Sequence, residues 1–232
     1  MFPELELYRH AFPHPLTDHQ SAILLQYLTA LLAYNEHTNL TAHRDLKTLL
    51  VKGVLDSLLF PSLKNRVQGR WLDVGSGAGF PGIPLAIQNT DVAMTLLEPI
   101  AKKARFLQSI QKHYIPSLHI VIDRAEHYIQ KERERFDGVV SRAVASLPML
   151  LELCLPFVRV GGYFLAYKGE LAPQEINVSQ NALYQLGGEV ETLESATLIG
   201  DDAQRYLIVI RKTKPTPVIY PRMFSQIKNS PL

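Results

Sequence analysis

The sequence predicts an α/β protein with a doubly wound, mainly parallel sheet, and two observations predict this fold. From Arg70 onward, five short apolar runs alternate with five segments of helical periodicity, as in repeated strand–helix units. Such units join parallel strands through right-handed crossovers. The last two apolar runs, 189–199 and 205–212, are too close together for a helical crossover, so the final strand is expected to be antiparallel.

Residues 1–69 are expected to form a helical extension that precedes the sheet. Apolar residues recur at helical spacing over 17–38, and either Thr17 or Asp18 can serve as the N-cap of this helix. A second helix is predicted over 45–63, ending near Pro61. The polar segment "NEHTNLTAHRD" links the two helices.

The elements after position 69 follow from the alternation of apolar runs. Strands are expected at 70–75, 92–98, 118–123, 136–141, 162–169, 189–199 and 205–212. Helices are expected at 83–88, 102–114, 125–132, 147–158 and 174–186. Residues 70–212 would then form the sheet domain and 213–232 a basic tail. The tail contains four prolines and no periodicity, so we expect it to lie over the surface or to be partly disordered.

Composition indicates a globular protein that acts in the cytoplasm. The chain has 232 residues, 47% apolar and 20% charged, which is enough for a large core. No apolar run is long enough for a membrane span, and the first residues lack the features of a signal peptide. The single cysteine, Cys154, excludes an internal disulfide and fits a reducing compartment. We expect a monomer.

Charge is distributed unevenly along the chain. The net charge is only +2, but Lys102, Lys103 and Arg105 lie on one predicted helix without a nearby acid. The segment 211–232 carries five basic residues and no acidic ones. Such clusters are either solvated faces or phosphate-binding faces, and charge alone favours neither.

The segment "LDVGSGAGFPGIPLAI" at 72–87 follows the first predicted strand and opens the first sheet helix. Ligands of open α/β sheets bind at the carboxyl ends of strands, and the glycines Gly75, Gly77 and Gly79 remove Cβ atoms where a ligand would approach. Pro81 and Pro84 are expected in the first helical turn, where a missing N–H breaks no helical bond.

The spacing of the glycines indicates which ligand is bound. Dinucleotide folds use G-x-G-x-x-G, whereas this loop reads G-x-G-x-G with Asp73 two residues before the first glycine. It is similar to the loop of class I methyltransferases, which bind S-adenosylmethionine. Glu98 ends the second predicted strand, where a carboxylate can accept both hydroxyls of a ribose.

Two catalytic devices of nucleic-acid methyltransferases are missing. Cys154 lies in an apolar helical segment and is expected in the core, so it is not the nucleophile that pyrimidine C5 methylation needs. The position of the amine-methylation motif reads "SRAVAS" at 141–146. An acceptor with a lone pair and no proton to lose, such as guanine N7, needs neither device. Catalysis would then consist of in-line positioning rather than general-base chemistry.

The glycine loop, "NLTAHRD", "VLDSLLF", "FDGVVSRAVASL", "YFLAYKG" and "YPR" together resemble the glucose-inhibited division protein B family, the small-subunit ribosomal RNA methyltransferases G. The resemblance runs from about residue 17 to the end of the chain. It implies N7 methylation of one guanine in a loop of 16S ribosomal RNA, with S-adenosylmethionine as methyl donor. It also implies a seven-stranded, Rossmann-like methyltransferase sheet with a helical N-terminal extension.

The motif and the resemblance together predict the cofactor-binding residues. These are Asp73, Gly75, Gly77, Gly79, Phe80, Glu98, Ala125, Glu126 and Arg142. Arg142 could bind the methionine carboxylate, bind an RNA phosphate, or pair with a nearby acid. The resemblance also suggests residues that position the substrate, namely Asn39, Thr41, Asp56 and Ser57. Arg142 and Lys168, at the ends of the fourth and fifth strands, are further candidates because of their position. No metal site and no general base are predicted.

One position departs from the family pattern. The family often has histidine where this sequence has Gly53, so a contact made by that histidine would be missing or supplied by another residue. His37 and His43 are the nearest candidates along the sequence, and the sequence does not decide between them.

Three other functions are compatible with parts of the sequence. A small-molecule methyltransferase would need an apolar lid and would give the basic tail no role. An RNA-binding module could retain S-adenosylmethionine as a structural ligand. A dehydrogenase is disfavoured by the glycine spacing.

Overall fold

The chain folds around a mixed β-sheet, described by a computed structural model over residues 6–60, 62–63, 66–142, 144–200 and 203–232. The strands in this part of the chain are β1 (Gly69–Val74), β2 (Val92–Leu97), β3 (His119–Val121), β4 (Phe136–Arg142), β5 (Val158–Lys168), β6 (Gly188–Thr197) and β7 (Gln204–Lys212). Their order is β3-β2-β1-β4-β5-β7-β6. β7 runs antiparallel to both of its neighbours, and the other pairings are parallel. The predicted fold class is confirmed.

Nine helices are described along the same part of the chain. They are α1 (Asp18–Asn35), α2 (the consecutive segments Leu46–Thr48, Leu49–Leu55 and Asp56–Leu58), α3 (Gly82–Gln88), α4 (Ala101–His113), α5 (Ala125–Glu132), α6 (Leu147–Cys154), α7 (Ala172–Val178), α8 (Gln180–Leu186) and α9 (Phe224–Asn229). The central segment of α2, Leu49–Leu55, is π-helical. Short 3-10 turns cover Arg9–Ala11 and Leu155–Phe157.

Several predicted boundaries were wrong for local reasons. The helix expected over 147–158 ends at Cys154, and β5 starts at Val158 rather than at 162. The helix expected over 174–186 is two helices separated at Ser179, whose buried hydroxyl donates to the Glu175 carbonyl at 2.6 Å. Such a side-chain bond competes with the regular helical pattern. The third strand is only three residues long, His119–Val121.

The first helix uses one of the two N-caps that the sequence allowed. Thr17 is its N-cap: the Thr17 hydroxyl accepts a hydrogen bond from the Gln20 N–H at 3.2 Å. The Gln20 side chain accepts one in return from the Thr17 N–H at 2.9 Å. This reciprocal capping box satisfies two of the N–H groups that a helix start leaves unpaired, so Thr17 rather than Asp18 ends the preceding loop.

The core consists of two apolar clusters on opposite faces of the sheet. Trp71 belongs to one cluster and the adjacent Leu72 to the other, and Val140 and Val139 on β4 divide in the same way. Successive strand residues point to opposite faces, so the two clusters must lie on the two sides. The cluster that contains Trp71 also contains the apolar residues of α1 and α2. The helical N-terminal segment therefore covers one face of the sheet near its centre.

The C-terminal segment lies over the sheet domain, which is the first of the two expected alternatives, and it contains a helix that the sequence did not predict. It ends in α9, which packs on α6 with Ile227 fully buried. Arg222 binds the fully buried carboxylate of Glu152 on α6 through Nε at 2.8 Å and Nη2 at 2.6 Å. A buried carboxylate requires such a partner, and this requirement fixes a segment whose sequence has no periodicity.

None of the helices that the structure describes combines the length and the apolar composition needed to cross a bilayer.

Replacing Arg222 with Met should lower the free energy of unfolding by about 3–5 kcal/mol, because Glu152 would then be a buried charge without its partner. Urea unfolding followed by circular dichroism measures this change. Arg159→Met is the matched control, since Arg159 pairs with Asp137 at 2.8 Å in a mostly exposed position. That variant should lose less than about 1 kcal/mol. Equal losses in the two variants would contradict the structural role of the buried pair.

Candidate functional site

The glycine loop joins β1 to α3 at the point where the strand order reverses. Gly75, Gly77 and Gly79 have φ values of +76°, +60° and +109°, a conformation that residues with a Cβ rarely adopt. A Cβ on Gly75 would lie 2.6 Å from Val144, and one on Gly79 would collide with Ile83. A Cβ on Gly77 would meet nothing nearer than 3.9 Å. Protein packing therefore requires glycine at positions 75 and 79, whereas a Cβ on Gly77 would project into open space.

Glu98 holds this loop in place from the end of β2. Its Oε2 accepts a hydrogen bond from the Gly77 N–H at 2.8 Å, and its Oε1 accepts one from the Ile100 N–H at 2.8 Å. The carboxylate is only 3% exposed. Because a carboxylate has about four acceptor positions, this arrangement fixes Glu98 without using its whole capacity to bind hydroxyl groups.

Asp73 lies under the loop at the end of β1 and is fully buried. Its Oδ2 accepts a hydrogen bond from the Gly82 N–H at the start of α3, at 3.0 Å. Its Oδ1 has no hydrogen-bond partner within the structure. Burial raises the pKa of this carboxyl to about 7, although the bond from Gly82 opposes the shift. A cationic donor reaching Oδ1 would satisfy the unpaired atom and favour its ionised form.

Ala125 and Glu126 start α5, which follows β3 after a short link, and both side chains are buried. The Glu98 N–H donates to the Val121 carbonyl at 3.0 Å, so the ends of β2 and β3 lie side by side. These predicted residues therefore share one edge of the sheet with Glu98 and the glycine loop.

Arg142, the last residue of β4, reaches away from the sheet and contacts α2. Its Nη1 lies 3.1 Å from Asp56 Oδ2 and 3.3 Å from both Ser57 Oγ and the Gly53 carbonyl. Its guanidinium also lies over the Phe80 ring, 5.1 Å from the ring centroid. The structure thus brings together Asp56, Ser57, Arg142 and Phe80, and Arg142 makes the acid pairing that was one of its three sequence interpretations.

The loop is also supported by α1. The Tyr27 hydroxyl donates to the Ala78 carbonyl at 2.9 Å, and the Tyr27 ring packs edge-on against Phe80 at 5.7 Å between centroids. Both contacts are buried, so the N-terminal helices and the glycine loop form one packed unit.

A cleft of about 420 Å³ opens beside Arg142 at the carboxyl ends of β4 and β5. It is lined by His43, Lys52, Asp56, Phe60, Arg142, Ala145, Tyr167, Lys168, Gly169, Arg205 and Tyr206. These described lining residues include four Lys or Arg side chains and one carboxylate, Asp56. The described lining therefore has more cationic than anionic side chains, and the volume of the cleft is typical of small-ligand sites.

Lys168 and Arg205 enter the cleft from β5 and β7. The Lys168 ammonium donates to the Ala145 carbonyl at 2.6 Å and to Glu175 Oε2 at 2.7 Å. The Arg205 Nε lies 3.3 Å from Asp56 Oδ1. Lys168 was predicted from sequence, but Arg205 was not, because it follows a hairpin with no motif and reaches the cleft only through the antiparallel placement of β7.

Gly53 has a packing role that excludes a histidine side chain in this arrangement. A Cβ at this position would lie 2.5 Å from Phe80 Cζ. His43 lines the cleft, whereas His37 is exposed in the link between α1 and α2. Burial lowers the pKa of His43, and the cations Arg142 and Lys52 lower it further.

Asn39 and Thr41 make their contacts within that link. Asn39 accepts a hydrogen bond from Arg44 Nη2 at 2.9 Å, and Thr41 Oγ1 accepts one from the His43 N–H at 3.3 Å. The buried Asn35, which sequence reasoning missed, organises the link. Its amide donates to the Thr41 and His43 carbonyls at 3.0 and 3.1 Å. The substrate-positioning role of Asn39 and Thr41 stays a prediction.

Two remaining features concern the surface and metals. Lys102 and Arg105 are exposed on α4, with Lys103 half-buried.

Among the residues that the structure describes, no cluster of three or more histidine, cysteine or acidic side chains could hold a metal ion.

The loop after β1, the carboxylate after β2 and the antiparallel final strand define the class I S-adenosylmethionine-dependent methyltransferases. Two solved structures share this fold. A 16S rRNA (adenine(1408)-N(1))-methyltransferase from Catenulisporales acidiphilia has a TM-score of 0.54 at 12% identity, over 67% of this chain and 91% of that one. The antibiotic-resistance methyltransferase Kmr has a TM-score of 0.53 at 16% identity, over 69% and 94%.

Sequence comparison identifies the family within this class. The family model of rRNA small subunit methyltransferase G matches residues 20–204. The ribosomal RNA small subunit methyltransferase G of Alkaliphilus metalliredigens is 44% identical over 211 residues, 89% of this chain and 88% of the relative. That of Lactobacillus acidophilus is 39% identical over 98% and 97%. The chain belongs to the rRNA small subunit methyltransferase G family, and its cofactor is S-adenosylmethionine.

Gly77→Ala should weaken S-adenosylmethionine binding about 10- to 100-fold, because the new methyl group occupies the ligand side of the loop and overpacking costs about 1–3 kcal/mol. Titration calorimetry measures the affinity. Gly200→Ala is the matched control, since Gly200 has φ +75° and a Cβ added there would meet nothing within 4 Å. Both variants should lose roughly 1–2 kcal/mol of stability from the left-handed backbone. Unchanged affinity in Gly77→Ala would contradict the assignment of the loop.

Asp73→Asn should change how stability depends on pH. The pKa of Asp73 rises from 3.8 in the unfolded chain to about 7 on folding, so the folded protein holds this proton more tightly. The contribution of Asp73 to the free energy of unfolding of the wild type therefore falls as pH rises from about 4 to about 7. The fall is at most about 1.4 kcal/mol per pH unit. The variant, which cannot ionise there, should gain stability relative to wild type across that range. Denaturant unfolding without cofactor at several pH values tests this, and a constant difference would refute it.

Proposed function

We propose that this protein transfers a methyl group from S-adenosylmethionine to N7 of a guanine in a loop of 16S ribosomal RNA. The observation that carries the proposal is the cationic cleft, which adjoins the glycine loop through the stack of Arg142 on Phe80. Membership of the rRNA small subunit methyltransferase G family supports 16S ribosomal RNA within the small subunit as the substrate.

The residues at the loop fit the cofactor. Gly77 leaves open space for it, Glu98 is placed to accept ribose hydroxyls, and the unpaired Oδ1 of Asp73 suits the methionine ammonium group. Ala125 and Glu126 would border the adenine, and Arg142 would lie beside the methionine carboxylate. When bound, S-adenosylmethionine supplies a methyl group made electrophilic by its sulfonium.

The chain's contribution to the reaction would be positioning. Guanine N7 carries a lone pair and no proton, so the transfer needs no general base, and Cys154 is fully buried in the core. Lys52, Lys168 and Arg205 would bind phosphates around the target nucleotide, which a looped RNA can present unstacked. Holding N7 in line with the methyl group at near-attack distance supplies the rate enhancement.

The division into helical extension, sheet domain and C-terminal segment would then be functional. The extension, 1–69, would supply one wall of the cleft through His43, Lys52, Asp56 and Phe60. The sheet domain, 70–212, would supply the cofactor site, and 213–232 would pack against the sheet domain. We propose that the protein acts as a monomer in the cytoplasm, where ribosomal RNA is accessible.

A small-molecule methyltransferase is the second candidate. Such an enzyme would enclose its acceptor in an apolar pocket. The cleft beside Arg142 is instead open and cationic, which favours an RNA acceptor.

Methyl transfer to RNA tests the proposal. Purified protein and tritiated S-adenosylmethionine would be incubated with undermethylated small ribosomal subunits and, separately, with naked 16S RNA. We expect label on one guanine, with strand scission at that nucleotide after borohydride and aniline treatment, as N7-methylguanosine gives. RNA carrying 7-deazaguanosine, which lacks N7, should accept no label. Label on neither substrate, or transfer to the 7-deaza RNA, would overturn the proposal.

A further inference from the structure

The cationic cleft contains one feature that a phosphate-binding surface does not need. Asp56 is the carboxylate among its described lining residues, and its side chain is 13% exposed. A negative charge at this place opposes the binding of phosphates. At this place a ligand that donates hydrogen bonds is favoured over one that carries negative charge.

Asp56 is held in a defined orientation by two arginines. Its Oδ2 lies 3.1 Å from Arg142 Nη1, and its Oδ1 lies 3.3 Å from Arg205 Nε. These cations stabilise the ionised form and fix the direction of both oxygens. A donor that binds these oxygens would share them with the arginines or replace one of their hydrogen bonds.

Asp56 is also close to the cofactor loop. Arg142 touches Asp56 with one nitrogen and covers the Phe80 ring with its guanidinium plane, 5.1 Å from the ring centroid. One side chain thus separates the carboxylate from the loop that binds the methyl donor. A base that contacts Asp56 therefore lies beside the cofactor site.

Among purines, guanine has the edge that suits a carboxylate. Its N1–H and N2–H groups are two adjacent donors, whereas adenine presents an acceptor at N1 that would face the negative oxygens. N7 lies on the opposite edge of the purine and stays uncovered. We propose that Asp56 selects guanine by accepting hydrogen bonds from N1–H and N2–H. This inference rests on the proposed function and names the residue that sets its base specificity.

Inosine provides a direct test, because it is guanosine without the N2 amino group and keeps N7. The target RNA would carry guanosine or inosine at the methylated position, introduced by ligation. Each RNA would be methylated by wild type and by Asp56→Ala, and kcat/KM would be measured. Wild type should prefer guanosine about 10- to 100-fold, as expected for one hydrogen bond to a charged group. Asp56→Ala should reduce this preference to less than about threefold.

The ratio of the two substrates within one variant is independent of how much of that variant is folded. Asp91→Asn is the control, since Asp91 is exposed at the opposite end of the sheet, next to the start of β2. It should keep the wild-type preference. Equal preference in wild type and Asp56→Ala, or no preference in wild type, would overturn the role of Asp56. Failure of wild type to methylate guanosine RNA at N7 would overturn the proposed function and this inference with it.

Discussion

The organisation of the site depends on the contacts that the Arg142 guanidinium makes. It extends from the end of β4, stacks on Phe80 of the glycine loop and contacts Asp56 and Ser57 on α2. Three parts of the chain that are far apart in sequence meet at this one side chain. An arginine suits this position because its planar cation can stack on a ring and donate several hydrogen bonds at once.

The close approach of α2 to the loop follows from the same contact. Gly53 lets the helix lie directly against the Phe80 ring, and the Gly53 carbonyl accepts a hydrogen bond from Arg142. A larger residue would separate the helix from the loop or displace the ring. The position of α2, which forms one wall of the cleft beside Arg142, therefore depends on glycine at position 53.

The three glycines of the loop do not all have the same role. Three glycines share a left-handed backbone, but only Gly77 faces open space. Glu98 fixes that residue through its N–H, and Asp73 fixes the start of α3 through the N–H of Gly82. The two carboxylates thus hold the conformation of the loop through its backbone N–H groups.

By itself, the sequence determined the strand–helix alternation, the antiparallel final strand, the start of the first helix at Thr17 or Asp18, and the ligand loop. These features depend on local periodicity, capping and backbone conformation, which neighbouring residues set. Only the tertiary structure decided the pairing of Asp56 with Arg142 and Arg205, the packing of Gly53 on Phe80, and the ordering of the C-terminal segment by Arg222 and Glu152. Each of these contacts joins residues that are far apart in the sequence. The sequence does not show which residues pair, because they become neighbours only when the sheet and its helices pack together.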